Sequence, residues 1–293
     1  LSTMFTSIGE SKIPLGLLIF SSILNIFMDL WMEAGLGLGV FGAALATLIA
    51  QGISAVFSFL IFLSRMRQYK SSFRRFDRQE LYSMLRIAVP SVLQQSTVSI
   101  GMMIVQAVVN PFGTQALAGY SATMRVENVF SLIFVSIGNA VSPYVSQNLG
   151  AKKYQRIRKG VHSGTYMALL TSVVISGVMV LFGRNILSLF VSGEPEQIRQ
   201  VLDIAYKYLF IMAIFLWVLY LLYVYRSAIQ GLGNTLIPLA SGIAEFVMRV
   251  SVALLLPKLI GEDGIFYAEI CAWTSAAVLL FISYMIIIRK YKE

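Results

Sequence analysis

Apolar residues in this chain run in long unbroken stretches, without the polar face that recurs every third or fourth position in a surface helix. Eight such stretches stand out: 14–33, 39–63, 87–110, 119–146, 161–190, 203–228, 237–257 and 264–288. A bilayer's hydrocarbon core takes about 20 helical residues, so each stretch predicts a membrane span. The longer ones predict tilt or extension into water. The connections alternate in character. Those at 64–86, 150–160 and 289–293 are basic, whereas those at 111–118, 191–199 and 258–263 are short and neutral or acidic, with Glu194, Glu196, Glu262 and Asp263. That alternation predicts basic connections on the cytoplasmic side, where lysine and arginine are retained.

Composition sharpens the reading. Hydrophobic residues make up 57% of the 293 positions and charged residues only 13%, about half the ~25% of a soluble domain. A soluble fold could not cover so apolar an interior, so lipid is the expected solvent. The net charge of +9 would suit nucleic acid, but 15 of the 23 Lys and Arg fall in three clusters, Arg65–Arg86, Lys152–Lys159 and Arg289–Lys292, each just outside an apolar run. Membrane topology accounts for them, and no nucleic-acid partner is expected. The single cysteine, Cys271, excludes an internal disulfide. Residues 1–10 carry no basic n-region, so no cleavable signal peptide is read there.

Motifs of soluble enzymes fail on context. Gly37-Leu38-Gly39-Val40-Phe41-Gly42 satisfies G-x-G-x-x-G, yet no strand precedes it, so close packing of small residues is the better account. The sole histidine, His162, has no Cys or carboxylate at ligand spacing, and no nucleophile elbow, zincin motif or P-loop occurs. Neither an enzyme nor a nucleotide-driven pump is expected, and no cofactor is called for. Active transport here would draw on an ion gradient.

The chain contains an internal repeat. Ile8-Gly9-Glu10-Ser11-Lys12-Ile13-Pro14-Leu15 is echoed by Leu232-Gly233-Asn234-Thr235-Leu236-Ile237-Pro238-Leu239 at an offset of 224, and Gly39-Val40-Phe41-Gly42-Ala43 by Gly264-Ile265-Phe266-Tyr267-Ala268 at 225. The first two spans therefore correspond to the last two. The expected fold class is an all-α polytopic membrane protein of about eight transmembrane helices. It comprises one complete six-helix lobe and the last two helices of a pseudo-symmetric second lobe. The expected division is 1–63 (two helices of the N-lobe), 64–86 (basic cytoplasmic linker) and 87–293 (complete C-lobe).

Taken together, these segments resemble the multidrug and toxin extrusion (MATE) family. Leu24-Asn25-Ile26-Phe27-Met28-Asp29, followed by Gly39-Val40-Phe41-Gly42-Ala43-Ala44-Leu45-Ala46-Thr47, is similar to its fifth and sixth helices. Pro90 through Gly113, then Gln147-Asn148-Leu149-Gly150-Ala151, is similar to its seventh and eighth. Gln230-Gly231-Leu232-Gly233-Asn234-Thr235 with Pro238 is similar to the turn between its tenth and eleventh. The resemblance implies that three helices and most of a fourth precede Leu1, with a cation-binding aspartate on the first.

Candidate sites follow. Asp29 lies in an apolar run four positions after Asn25, so both project from one helix face. An ionisable group within the membrane marks an ion or substrate path by default. Carboxylate, amide and hydroxyl oxygens are hard ligands suited to a small cation. The resemblance implies that residues matching Asn25, Asp29 and Thr47 form an N-lobe site for sodium or protons; the competing reading leaves Asp29 solvated beside Glu33. Glu245 and Arg249 stand at i, i+4, in the order that favours an ion pair, either as a structural tie or in contact with substrate. Gln94, Gln95, Ser96, Thr97, Ser99 and Gln106 make the 87–110 span unusually polar. The resemblance implies a cavity wall there, and interhelical hydrogen bonding is the alternative. Gln94, Gln95, Glu245 and Arg249 are thus the substrate-cavity candidates. Arg125, Glu127 and Arg226 read as interfacial.

The function these features imply is a secondary antiporter in a bacterial inner membrane, monomeric, exporting amphipathic or cationic organic compounds against sodium ions or protons. The alternative is a flippase for lipid-linked precursors.

Overall fold

A computed structural model describes residues 2–67, 77–261 and 263–291, and every regular element among them is helical. Eight of the helices are long and apolar enough to cross a membrane, one for each stretch read from the sequence. In lipid the backbone must satisfy its own hydrogen bonds, which restricts spanning segments to helices or closed barrels. The chain divides into two compact units, Leu1–Asp77 and Arg78–Glu293.

The first unit holds α1 (Ser2–Ile8), α2 (Lys12–Asp29) and α3 (Gly39–Met66), with a π-helical segment, Leu30–Gly35, continuing α2. The glycine motif resolves into two separate functions. Gly37 and Gly39 adopt φ of +66° and +53°, which turn the chain into α3. Gly42 lets that turn close: a Cβ there would lie 2.9 Å from the Leu38 side chain and 3.1 Å from the Met32 carbonyl oxygen. Along the hairpin, Phe20 meets Phe57 edge-on and Phe5 meets Phe62. Arg65 and Glu10 pair at the far end, 3.4 Å apart.

The second unit comprises α4 (Arg78–Val109), α5 (Thr114–Gly150), α6 (Tyr154–Ser188), α7 (Pro195–Gly231), α8 (Leu236–Leu255), the short α9 (Pro257–Ile260) and α10 (Asp263–Lys290). Helix α4 begins nine residues before the expected span, so residues 78–86 of the expected 64–86 linker are helix, carried on exposed turns, and residues 64–66 close α3. Residues 68–76 of that linker lie outside the described residues. Helix α7 packs against α5, α6 and α10, and α8 packs against α4 and α10. Helix α7 is the most enclosed span of the unit.

Small residues set the crossings, as expected where lipid offers no hydrophobic force between helices. A Cβ on Gly231 would come within 2.6 Å of the Ser142 carbonyl oxygen, one on Gly138 within 2.7 Å of Ser227 Oγ, and one on Gly242 within 2.9 Å of the Gln94 side chain. Arg158, in the basic first turns of α6, donates to the carbonyl oxygens of Ile288 and Tyr291 at 3.2 Å. Two of the basic clusters therefore meet at one end of this unit, as the positive-inside argument requires.

The repeat is visible in the element boundaries. Lys12 and Leu236 open the first helix of each pair, and Gly39 and Asp263 open the second, each 224 residues apart. Helices α3 and α10 both run for 28 residues and end at Met66 and Lys290, again 224 apart.

Candidate ion and substrate sites

Of the three residues expected to hold a cation, the structure joins two directly. Asn25 Nδ2 on α2 donates to Thr47 Oγ1 on α3 at 3.3 Å, and the Thr47 hydroxyl donates to the Ala43 carbonyl oxygen at 3.0 Å. One helical turn on, Asp29 is half-buried, and its Oδ1 is shielded from solvent without a hydrogen-bond partner among the described residues. Glu33, by contrast, is exposed. The change to π-helical bonding falls immediately after Asp29, and such local widening recurs at functional sites. With Nδ2 committed to Thr47, the Asn25 carbonyl oxygen stays free to accept. The donor set of amide oxygen, hydroxyl and unpartnered carboxylate oxygen fits a small hard cation or a proton. Asn25 and Thr47 also line a cleft of about 420 Å³ with Ser21, Gln51 and Leu18.

The four substrate-cavity candidates part company. Gln95 is exposed, and Gln94 is buried at 4% exposure against the α4–α8 crossing. Glu245 and Arg249 are buried at 3% and 0% and engage each other as the sequence spacing predicted, Arg249 Nη2 to Glu245 Oε1 at 2.9 Å. Both are enclosed in this structure and tied to protein groups on other helices, Glu245 to Arg226 and Arg249 to Glu269.

That tie is one link of a larger network. Arg226 on α7 donates to Glu245 Oε2 at 2.8 Å, and its guanidinium lies 5.5 Å from the Tyr223 ring centre. Arg249 donates from Nε and Nη2 to Glu269 Oε2 at 3.1 and 2.8 Å, and from Nη1 to the Val98 carbonyl oxygen at 3.4 Å. Gly101 makes room for it; a Cβ there would sit 3.2 Å from Arg249 Nη1. The interfacial reading of Arg226 and Glu127 is thereby corrected: they are 6% and 7% exposed, inside the bundle. Arg125 is exposed and borders a separate cleft with Gln115 and Gln197.

Sequence reasoning passed over Glu269 altogether. Ala268-Glu269-Ile270 stands within an apolar span, and a lone carboxylate there carries the same default meaning as Asp29. Glu127 was also legible in principle, since Tyr120, Thr123 and Glu127 recur at i, i+3, i+7 on one face of α5. Thr123 on that face donates to the Ala205 carbonyl oxygen of α7 at 3.0 Å.

Among curated proteins, the chain is similar to the "Probable multidrug resistance protein YpnP" of Bacillus subtilis, 26% identical over 90% of this chain and 59% of that protein. It is similar also to the "Probable multidrug resistance protein YoeA" of the same organism, 29% identical over 72% of this chain and 46% of the other. The chain thus spans about half the length of these relatives. Among solved structures it matches the fold of the Vibrio cholerae MATE transporter VcmN with a TM-score of 0.86 at 23% identity, over 98% of this chain and 64% of that one. The family model MatE matches residues 90–255, more than half of the 293 positions. On that match, together with the helix order and repeat described above, the chain belongs to the MATE family.

Proposed function

We propose that the full-length protein is a secondary antiporter of a bacterial inner membrane, exporting amphipathic or cationic organic compounds in exchange for sodium ions or protons. The observation that carries this reading is the buried, unpartnered oxygen of Asp29 beside the Asn25–Thr47 hydrogen bond. A carboxylate that is to gain and lose an ion must not already be neutralised by a fixed cation. No salt bridge among the described residues involves Asp29, whereas Glu245 is held by two guanidiniums. The coupling ion is a co-substrate here, and its occupancy can bias inward and outward openings only if it binds one of them better. The adjoining cleft mixes hydroxyl and amide groups with leucines, a lining suited to amphipathic cargo. The descriptions of the curated relatives as multidrug resistance proteins support the same substrate class.

The test is Asp29→Asn in the full-length gene, measured as gradient-driven efflux from membrane vesicles. Loss of gradient dependence with unchanged protein level is expected. Normal coupled efflux would remove Asp29 from the mechanism.

A further inference from the structure

The two units close the same corner of the repeat differently. In the first, the turn before α2 and the end of α3 are joined by an ion pair, Glu10 with Arg65, 3.4 Å apart. An offset of 224 carries Arg65 onto Arg289, and each is the penultimate residue of a 28-residue helix. The same offset carries Glu10 onto Asn234 and Met66 onto Lys290. The second unit thus keeps the guanidinium, adds an ammonium beside it and lacks the carboxylate.

Asn234 has a different task. Its Oδ1 caps α8 by accepting from the Ile237 amide at 3.1 Å, which leaves its Nδ2 free to donate. Thr235 beside it donates to the Arg86 carbonyl oxygen at 3.4 Å, and so brings the first turns of α4 to this corner. Between α4, the α7–α8 turn and the end of α10 lies a cleft of about 930 Å³, lined by Arg86 and Lys290 together with Ser83 and Asn234. Among the described residues neither cation forms a salt bridge, and nor does Arg289. A further guanidinium stands close by, since Arg158 donates at 3.2 Å to the carbonyl oxygen of Tyr291, another residue of the lining. The apolar part of the wall is Leu85, Ile87, Val89 and Leu236, which are between 48% and 66% exposed.

That lining selects its occupant. A free anion would engage the polar groups and leave the aliphatic ones in water. A phospholipid engages both, with its phosphate on the cations and its acyl chains along the apolar side chains. A zwitterionic headgroup brings an ammonium of its own, which the unpaired cations repel, whereas an anionic headgroup meets no such opposition. We propose that this corner of the second unit binds an anionic phospholipid, its phosphate held between Arg86 and Lys290 and accepting from Asn234. The lipid anion then stands where Glu10 stands in the first unit, and the bilayer supplies the partner that the sequence omits. The corner lies at the basic end of the unit, so the lipid belongs to the leaflet on the side where positive charge is retained. Nothing in this assignment depends on Asp29.

Lipid retention by the purified whole chain tests it. The protein in detergent is incubated with equal amounts of phosphatidylglycerol and phosphatidylcholine and washed. The bound lipids are then extracted and counted by mass spectrometry, with folding followed by circular dichroism. The wild type is expected to retain phosphatidylglycerol preferentially, and millimolar inorganic phosphate in the wash should not displace it. Arg86→Gln combined with Lys290→Gln should lower the preference about 30-fold, at about fivefold per basic residue. Asn234→Asp keeps the capping oxygen and restores a carboxylate, so it too should lose the preference, and it decides the matter if the double variant does not fold. Lys258→Gln removes a cation just beyond the far end of α8 and should leave the preference intact. The proposal is overturned if the wild type shows no preference, or if the double variant and Asn234→Asp both fold and keep it. It is overturned equally if Lys258→Gln loses as much, or if inorganic phosphate strips the lipid, which would make the cleft a site for free anions.

Discussion

Arg249 donates two hydrogen bonds to a single oxygen of Glu269, 2.8 Å from Nη2 and 3.1 Å from Nε, and leaves the other carboxylate oxygen buried without a partner. This asymmetry makes Arg249 the hub of the second unit. One guanidinium links α8 to α10 through Glu269, spans a turn of α8 through Glu245, and reaches α4 through the Val98 carbonyl oxygen.

Removing the hub should therefore be severe. Arg249→Leu strands the carboxylate of Glu269, and breaking a buried pair from one side costs about 3–5 kcal/mol. The double change Arg249→Leu with Glu269→Leu leaves Glu245 paired with Arg226 and the cluster's formal charge unaltered, so it should cost clearly less. Unfolding of both proteins in detergent would compare them. A double variant no more stable than the single would show that the hub acts by packing alone.

Glycine at the helix crossings should tolerate substitution by position, not by type. Gly231→Ala drives a methyl to 2.6 Å from the Ser142 carbonyl oxygen, a backbone atom that can yield only if a helix moves. Overpacking of that kind costs about 1–3 kcal/mol. Gly177 on α6 has nothing within 4 Å of an added Cβ, and Gly177→Ala should stabilise by about 0.5–1 kcal/mol from backbone entropy. Thermal unfolding of the two variants should move in opposite directions.

Thr47→Val removes the acceptor of the 3.3 Å bond from Asn25. Side-chain hydrogen bonds within membranes average about 0.6 kcal/mol, so the folded state should hardly notice. If Thr47 is a ligand of the coupling ion, half-maximal efflux by the full-length protein should demand a higher ion concentration at unchanged protein level. An unaltered ion dependence would leave Thr47 a purely structural partner.

The orientation of the second unit can be read by labelling. Helix α6 has 35 residues, about 52 Å at 1.5 Å per residue, ample to separate Ala151 from Ser192 across a bilayer. In a Cys271→Ser background, Ser192→Cys should react with an impermeant thiol reagent added to intact cells, and Ala151→Cys only after permeabilisation. The reverse pattern would invert the topology.

The sequence by itself determined the solvent, the number of spans and the repeat. Length and apolarity of a run decide membrane insertion locally, and a repeat is a property of the string. It also exposed the i, i+4 pairing of Glu245 with Arg249, because neighbours on one helix face are set by the helical period alone. Only tertiary structure decided what each ionisable group answers to. Arg226 and Glu245 are 19 residues apart and Arg249 and Glu269 are 20 apart, on different helices whose relative rotation no local pattern specifies. Glu127 stands two residues from Arg125, yet one is buried and the other exposed, since α5 turns only one of them toward α7. The balance of three buried carboxylates, Glu127, Glu245 and Glu269, against two buried guanidiniums, Arg226 and Arg249, is struck across four helices, and it exists only once those helices have packed.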